Sequence, residues 1–322
     1  MVVIGSYTLD TNILLAPMAG CTDLPFRLIA RKHGAKFCFF EMVDCNSLLH
    51  PSKKNRDFLQ TETADRPIAA QLVGSDPDSM VEGAKKILRI VDVPFIDINA
   101  ACPVRKVVRK KAGAFLLREP RALYKMIRKM ATALPVPITV KLRIGYSRYD
   151  RQELVRIAKN CARNGAAAIF IHGRTKEQLY SGEVNYEAIK AVKHSVNIPV
   201  FGSGNIFSPE MAKKMLSSTD CDGITVARGA LGHPWIFNEI EHYLTTGETL
   251  PAVDFKAKKE VLLCHLSCID QYKMIRPGAK VGLMRKAAIW YLKGFPQAAR
   301  LRDLMSRSKT YEEIVYNIEH HA

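Results

Sequence analysis

The sequence predicts an α/β protein, namely a (β/α)8 TIM barrel followed by an all-helical C-terminal domain. Eight short apolar, β-rich runs recur at regular spacing between Ile13 and Ala227, and amphipathic segments of helical period separate most of them. Runs that are apolar on both faces and alternate with helices indicate parallel pairing, because crossover helices cover both faces of the sheet. From about residue 252 onward only helical segments remain.

The eight predicted strands follow in chain order. They are Ile13–Met18, Phe37–Val43, Pro67–Val73, Phe95–Asn99, Pro137–Leu142, Ala167–His172, Ile198–Ser203 and Gly223–Ala227. Capping signals open two of the intervening helices, at Asp76-Pro77 and at Ser208-Pro209. A doubly wound sheet is the alternative architecture. It usually carries G-x-G-x-x-G after its first strand, where this chain has APMAG at 16–20.

The domain boundary is predicted near Gly247 and Pro251, which mark a linker. We assign residues 1–245 to the barrel and residues 246–322 to the helical domain. The sequence contains no run of about 18 apolar residues that could span a membrane, and its N-terminus lacks the basic region of a signal peptide. We therefore expect a cytoplasmic protein with no membrane partner.

Positive charge is in large excess. The chain has 48 Lys and Arg against 31 Asp and Glu, a net charge of +17, and residues 101–129 hold ten of the cations with a single acid, Glu119. Such an excess indicates a polyanionic partner, although a generally basic, solvated surface is the alternative. We expect this basic segment, including Lys110 and Lys111, and the helical domain to bind a phosphate backbone.

In a TIM barrel the catalytic residues lie where strands end, at the carboxyl-terminal face. The predicted strand ends supply small, polar and charged side chains. They are Pro17, Met18 and Ala19, then Gln71, Asn99, Cys102, Lys141, His172, Arg174, Ser203, Gly204, Asn205, Ala227 and Arg228.

Two features of this set indicate a phosphate-bearing cofactor. Lys141 lies within an apolar strand, and lysine is seldom buried without a partner. The ammonium would face a bound anion or an electron-rich ring, unless it extends to solvent from the outside of the barrel. Glycine turns at GSGN (202–205) and ARGA (227–230) let backbone N–H groups approach a phosphate, which Arg228 would bind.

Cys102 follows a strand end and precedes Pro103, a place where a thiol is exposed to a site. With an ordinary pKa of about 8.5 it is protonated at neutral pH and suits a general acid. A nucleophile or a buried apolar side chain is the alternative. His172 would bind phosphate or substrate, or be structural. The eight cysteines form no C-x-x-C pair, and Cys264 and Cys268 lack further ligands at metal spacing, so we expect no metal.

The chain resembles the tRNA-dihydrouridine synthases along its whole length. The resemblance is carried by motifs in the order of that family. They are APMAGCTDLPFR at 16–27, FFEMV at 39–43, AQLVGSDP at 70–77, INAACPVRKVVRKKAGAFLL at 98–117, VKLRIGY at 140–146, IHGRTKEQLYSG at 171–182, PVFGSGNI at 199–206 and ARGALGHPWIF at 227–237.

The resemblance implies a barrel that binds flavin mononucleotide (FMN), a helical tRNA-binding domain, and a nicotinamide donor, NADPH or NADH. It implies hydride transfer to C6 of a flipped-out uracil, with Cys102 protonating C5 and Asn99 and Arg174 near the base. Structured RNA other than tRNA is a further possible partner. It also implies flavin contacts from Pro17, Met18, Ala19, Gln71, Lys141, His172, Ser203, Gly204, Asn205, Ala227 and Arg228.

The chain departs from the family pattern at two positions. Ala101 stands where the family usually has glycine before the cysteine, and Asn205 stands where it usually has an acid. One alternative function is a flavin barrel that oxidises a free pyrimidine, as dihydroorotate dehydrogenases do. It would have no use for the basic segment or the helical domain. A non-catalytic RNA-binding barrel is the other alternative, and flavin in the purified protein would exclude it.

Overall fold

The computed structural model describes residues 1–50 and 57–321, which include ten strands. These are β1 (Val2–Ile4), β2 (Tyr7–Leu9), β3 (Ile13–Leu15), β4 (Cys38–Asp44), β5 (Ile68–Val73), β6 (Ile96–Ala100), β7 (Ile138–Arg143), β8 (Ala166–His172), β9 (Val200–Ser203) and β10 (Gly223–Val226). Strands β3 to β10 form a closed parallel barrel in chain order, in which β10 pairs with β3. The predicted barrel is confirmed, with strand bounds that differ from the predicted ones by up to three residues.

Helices alternate with the barrel strands, as the amphipathic segments predict. They are α1 (Leu24–Lys32), α2 (Cys45–Leu49), α3 (Pro77–Ile90), α4 (Arg105–Val108), α5 (Pro120–Ala133), α6 (Arg151–Arg163), α7 (Tyr186–Lys193), α8 (Pro209–Thr219) and α9 (Ile236–Thr246). Both predicted capping residues cap their helices. The Asp76 carboxylate accepts from Ser79 N at 2.8 Å, and the Ser208 hydroxyl accepts from Met211 N at 3.4 Å.

A short antiparallel hairpin, β1 and β2, precedes the barrel and was not predicted. Ile4 and Leu9 are buried against aromatic residues at the amino-terminal ends of the barrel strands, including Phe37 and Phe95, whose rings stack at 5.4 Å. The hairpin therefore covers the end of the barrel opposite the strand ends that supply the predicted site. Three-residue strands are too short to give a periodic signal.

The C-terminal region contains helices only, as predicted. They are α10 (Phe255–Tyr272), α11 (Pro277–Tyr291), α12 (Ala298–Arg307) and α13 (Tyr311–His321). These helices share a core of their own that includes Leu266, Met284, Leu301 and Ile314. We call α10 to α13 the helical region. It packs on the barrel mainly through α10 against α1. Across residues 1–50 and 57–321, no helix has both the length and the apolar character needed to span a bilayer.

Candidate active site

A cavity of about 420 Å³ lies at the carboxyl-terminal ends of the barrel strands. That volume is within the range of pockets that hold ligands the size of a cofactor. Its lining includes Cys102, Asn99 and every residue predicted to bind the cofactor, which are Pro17, Met18, Ala19, Gln71, Lys141, His172, Ser203, Gly204, Asn205, Ala227 and Arg228. The prediction from strand ends thus brought together residues from seven strands, β3 and β5 to β10. It missed Met42, Arg143, Tyr180, Phe207 and Thr225, which also line the cavity.

Three predicted substrate-binding residues do not line the cavity. Arg174 is buried, and its guanidinium donates to the carbonyls of the loop at 181–182 and to Asn205 Oδ1 at 3.1 Å. Lys110 is exposed and forms an ion pair with Asp44 at 2.8 Å. Lys111 is exposed too, with a left-handed φ of 56°. Arg174 therefore orders a loop at the rim, and the substrate contacts of all three residues stay predictions.

A chain of buried hydrogen bonds crosses the floor of the cavity. Asp97 accepts at Oδ1 from the Thr139 hydroxyl and at Oδ2 from Gln71 Nε2, both at 2.7 Å. Gln71 Oε1 in turn accepts from Asn99 Nδ2 at 2.7 Å. Each amide is engaged at both ends, so its orientation is fixed by the acceptor-only carboxylate of Asp97.

This chain ends at the loop that carries Cys102. Asn99 Oδ1 accepts from the backbone N–H groups of Ala101 at 3.1 Å and Cys102 at 2.8 Å. The thiol is half-buried at the cavity wall. Burial raises the pKa of Cys102, with a smaller opposing effect from the cation of Arg143. The group is therefore a protonated thiol at neutral pH, as a general acid requires.

Arg143 holds the same loop from the other side. It is buried, and its guanidinium donates to the carbonyls of Ala101 at 2.9 Å, Thr175 at 2.7 Å and Leu179 at 2.9 Å. Burial lowers its pKa to about 10, so it remains a cation at neutral pH. The sequence carried one signal for it, because Lys141 and Arg143 are two residues apart in β7 and so share a face of the strand.

Lys141 places an ammonium in the cavity close to Asp97. Burial lowers the pKa of Lys141 to about 8 and raises that of Asp97 to about 6, and the attraction between the two charges opposes both shifts. Both groups are thus charged near neutral pH. Burial also lowers the pKa of His172, with help from the cations of Arg143 and Lys141, so its imidazole is neutral.

The raised pKa of Asp97 predicts a pH dependence of stability. Between its ordinary value of 3.8 and about 6, the folded protein holds a proton on Asp97 that the unfolded chain has lost. The resulting stabilisation is fully present below pH 3.8 and disappears as pH rises to about 6. Asp97→Asn removes this titration. The difference in free energy of unfolding between the two cofactor-free proteins should therefore change by about 2 kcal/mol between pH 4 and 6. A difference that is constant with pH would contradict the assignment.

The lining offers unused polar groups where a flavin nucleotide would bind. The buried Thr225 hydroxyl has no hydrogen-bond partner among the described residues, and Lys141 lines the same cavity. Backbone approaches closely at the glycine turns: Gly204 has φ 131°, and a Cβ at Gly229 would lie 1.9 Å from Ile206 O. Arg228 is exposed at the rim, 4.5 Å over the Tyr180 ring. These residues fit a phosphate at one end and a polar ring at the other.

Comparison with known proteins agrees with this geometry. The family model described as dihydrouridine synthase matches residues 14–322. The tRNA-dihydrouridine synthase B of Pseudomonas aeruginosa is 40% identical over 307 residues, 95% of this chain and 91% of that protein. That of Vibrio cholerae is 36% identical over 312 residues, 96% of this chain and 95% of that protein.

Solved structures share the fold at low identity. Histamine dehydrogenase from Rhizobium sp. 4-9 is 14% identical with a TM-score of 0.59, covering 84% of this chain and 50% of that one. An old yellow enzyme homologue from Zymomonas mobilis is 13% identical with a TM-score of 0.55, covering 80% and 94%. These likenesses support the barrel architecture alone. The match to the family model and the near full-length relatives confirm the resemblance found in the sequence, and this chain belongs to the dihydrouridine synthase family.

Proposed function

We propose that this protein is an FMN-dependent tRNA-dihydrouridine synthase, which uses NADPH or NADH to reduce the C5–C6 double bond of uridines in tRNA. The observation that carries the proposal is the convergence of a protonated thiol, Cys102, and a half-buried ammonium, Lys141, on one cavity lined by glycine turns and Arg228. Membership of the family favours this reaction over oxidation of a free pyrimidine. A cytoplasmic location accords with it and stays a prediction.

The residues proposed to hold FMN fall into two groups. Bound FMN would supply the hydride chemistry, taking a hydride from the nicotinamide and passing it to the pyrimidine. The phosphate would lie at the strand-end turns of β9 and β10. Its ligands would be Ser203, Gly204, Asn205, Ala227 and Arg228. The ring would lie against the loop after β3 and the cavity floor. Its contacts would be Pro17, Met18, Ala19, Gln71, Lys141 and His172.

Cys102 would supply the proton to C5 of the uracil. The hydrogen-bond chain from Asp97 and the contacts of Arg143 hold its loop from two sides, so the thiol is preorganised before substrate arrives. The Lys141 ammonium places positive charge where the reaction adds electron density. A uridine must leave the RNA stack to reach a thiol in this cavity, so the enzyme would bind it flipped out.

We infer that the basic segment and residues 246–322 bind the RNA backbone, the latter as a tRNA-binding domain. If about five phosphates are neutralised, affinity should fall more than tenfold over a few-fold rise in salt. Lys110→Glu/Lys111→Glu should weaken tRNA binding and reduce the salt slope, with reduction of the flavin by NADPH unchanged. Binding measured across a salt series tests this.

Lys190→Glu is the matched control for that charge reversal. Lys190 also forms an exposed ion pair, with Asp220 at 3.2 Å, but it lies near the carboxyl end of α7. Because barrel helices run antiparallel to the strands, that end lies at the face away from the cavity. We expect little change in its tRNA affinity. Equal tRNA affinity of the wild type at low and high salt would contradict the electrostatic role.

The proposed function itself is tested by two measurements. The purified protein should show flavin absorption bands, alone or after addition of FMN, and RNA from cells that lack the protein should lose dihydrouridine at specific positions. Retention of every dihydrouridine in such cells would overturn the assignment to RNA. Turnover of free uridine at the rate of tRNA would instead favour the free-pyrimidine alternative.

A further inference from the structure

The loop at residues 17–23, which follows β3, forms one wall of the cavity. Met18, Ala19 and Cys21 line the cavity directly. The barrel holds this loop through Glu41, a buried residue whose carboxylate accepts from Gly20 N. Inside the loop, Met18 N donates to the Thr22 hydroxyl at 3.0 Å. None of these contacts uses the carbonyl of Gly20 or Oδ2 of Asp23.

Two lysines from the helical region bind these two groups. Lys286, on α11, donates from Nζ to Gly20 O at 2.6 Å. Lys273, which follows α10, forms an ion pair with Asp23 at 3.0 Å, with side chains only 11% and 13% exposed. Asp23 is also the N-cap of α1, where its carboxylate accepts from Phe26 N at 3.2 Å. The cavity wall is therefore held on one side by the barrel and on the other by the helical region.

The position of Lys286 is itself fixed by packing. Its ammonium lies 5.3 Å from the centre of the Trp290 ring, and Trp290 meets the Phe26 ring edge-on at 5.9 Å. Gly20 has a left-handed φ of 70°, and a Cβ there would lie 3.3 Å from Lys286 Nζ. The backbone turn and the lysine therefore fit each other closely.

We propose that Lys286 and Lys273 are positioning residues of the cofactor site, through which the helical region holds the loop at 17–23 in its cavity-lining conformation. The inference rests on the proposed function, since the ligand of the cavity is FMN. Without these contacts the loop would occupy its binding position for only part of the time. Apparent affinity falls by the fraction of molecules in the competent conformation, so FMN would bind more weakly although neither lysine touches the cavity.

The test compares four variants of the full-length protein: Lys286→Met, Lys273→Met, Lys286→Arg and Lys280→Met. Lys280 is the matched control, because it lies on α11 like Lys286 but pairs with Asp270 at 2.9 Å inside the helical region. The dissociation constant of FMN is measured by quenching of flavin fluorescence, beside the melting temperature of each cofactor-free protein. Loss of one charge-assisted hydrogen bond should raise the constant about tenfold.

We expect weaker FMN binding in Lys286→Met and in Lys273→Met, and wild-type binding in Lys280→Met. Lys286→Arg should recover affinity, because a guanidinium can also donate to Gly20 O. Lower melting temperatures with unchanged FMN affinity in both methionine variants would overturn the inference, since they would show that the lysines only attach the helical region. Failure of the wild type to bind FMN would instead overturn the proposed function.

Discussion

Replacement of Cys102 by alanine should slow the oxidation of reduced flavin by tRNA about 10²–10⁴-fold, the range that one general acid contributes. Binding of FMN, binding of tRNA and reduction by NADPH should persist, because the loop is held by backbone groups that alanine retains. Asn99 accepts from the N–H of residue 102, and Arg143 donates to the carbonyl of Ala101. Stopped-flow spectroscopy of the flavin, with each substrate in turn, separates these steps.

Cys102→Ser keeps the size and the hydrogen-bonding capacity of the side chain but should also be slow, because a hydroxyl is a far weaker acid than a thiol. Cys268→Ala is the control. Cys268 is likewise half-buried, but it lies on α10 in the helical region, so its replacement should affect stability and leave this step unchanged. Oxidation by tRNA at the wild-type rate in Cys102→Ala would show that another group supplies the proton.

The sequence predicted most of the residues that line the cavity, because the position of a strand end can be inferred from the residues next to it. A run that is apolar on both faces indicates a barrel strand. The residue after it lies at the carboxyl-terminal face of the barrel, whatever its neighbours are. Cys102 and Arg228 were found in this way, and Lys141 and Gln71 were found as polar residues inside such runs. The hydrogen-bond partners of a side chain cannot be inferred from its neighbours in the sequence in the same way. Nothing near Asn99 indicates that both ends of its amide are engaged, by Gln71 and by the backbone of the Cys102 loop.

Contacts between distant segments were not predictable for the same reason. Gly20 and Lys286 are 266 residues apart, and a lysine on a basic helix looks like one more solvated charge until the fold brings it to a carbonyl. Arg174 shows the opposite case. The resemblance to the family implies a place near the base, which stays a prediction, and here its guanidinium donates to the nearby loop carbonyls and to Asn205. The sequence shows that Arg174 and Lys286 are charged, but it does not show which groups they bind.

Asp65→Ala should have the largest effect on stability, a loss of about 3–5 kcal/mol in the free energy of unfolding, because it leaves a buried guanidinium unpaired. Arg27 is 1% exposed and Asp65 is fully buried. Arg27 donates to the Asp65 carboxylate from Nε at 2.9 Å and from Nη2 at 2.7 Å. Denaturant unfolding of the cofactor-free protein measures the change.

Asp303→Ala provides the comparison, since it breaks an exposed pair with Arg307 and should cost at most about 1 kcal/mol. The double variant Arg27→Met/Asp65→Ala should be more stable than Asp65→Ala, because it also removes the buried, unpaired guanidinium. Equal decreases in the free energy of unfolding in Asp65→Ala and Asp303→Ala would contradict this expectation. Asp65→Ala should also affect the cavity. Arg27 donates from Nη1 to Thr22 O at 2.6 Å, within the loop at 17–23. The substitution should therefore weaken FMN binding as well as reduce the free energy of unfolding.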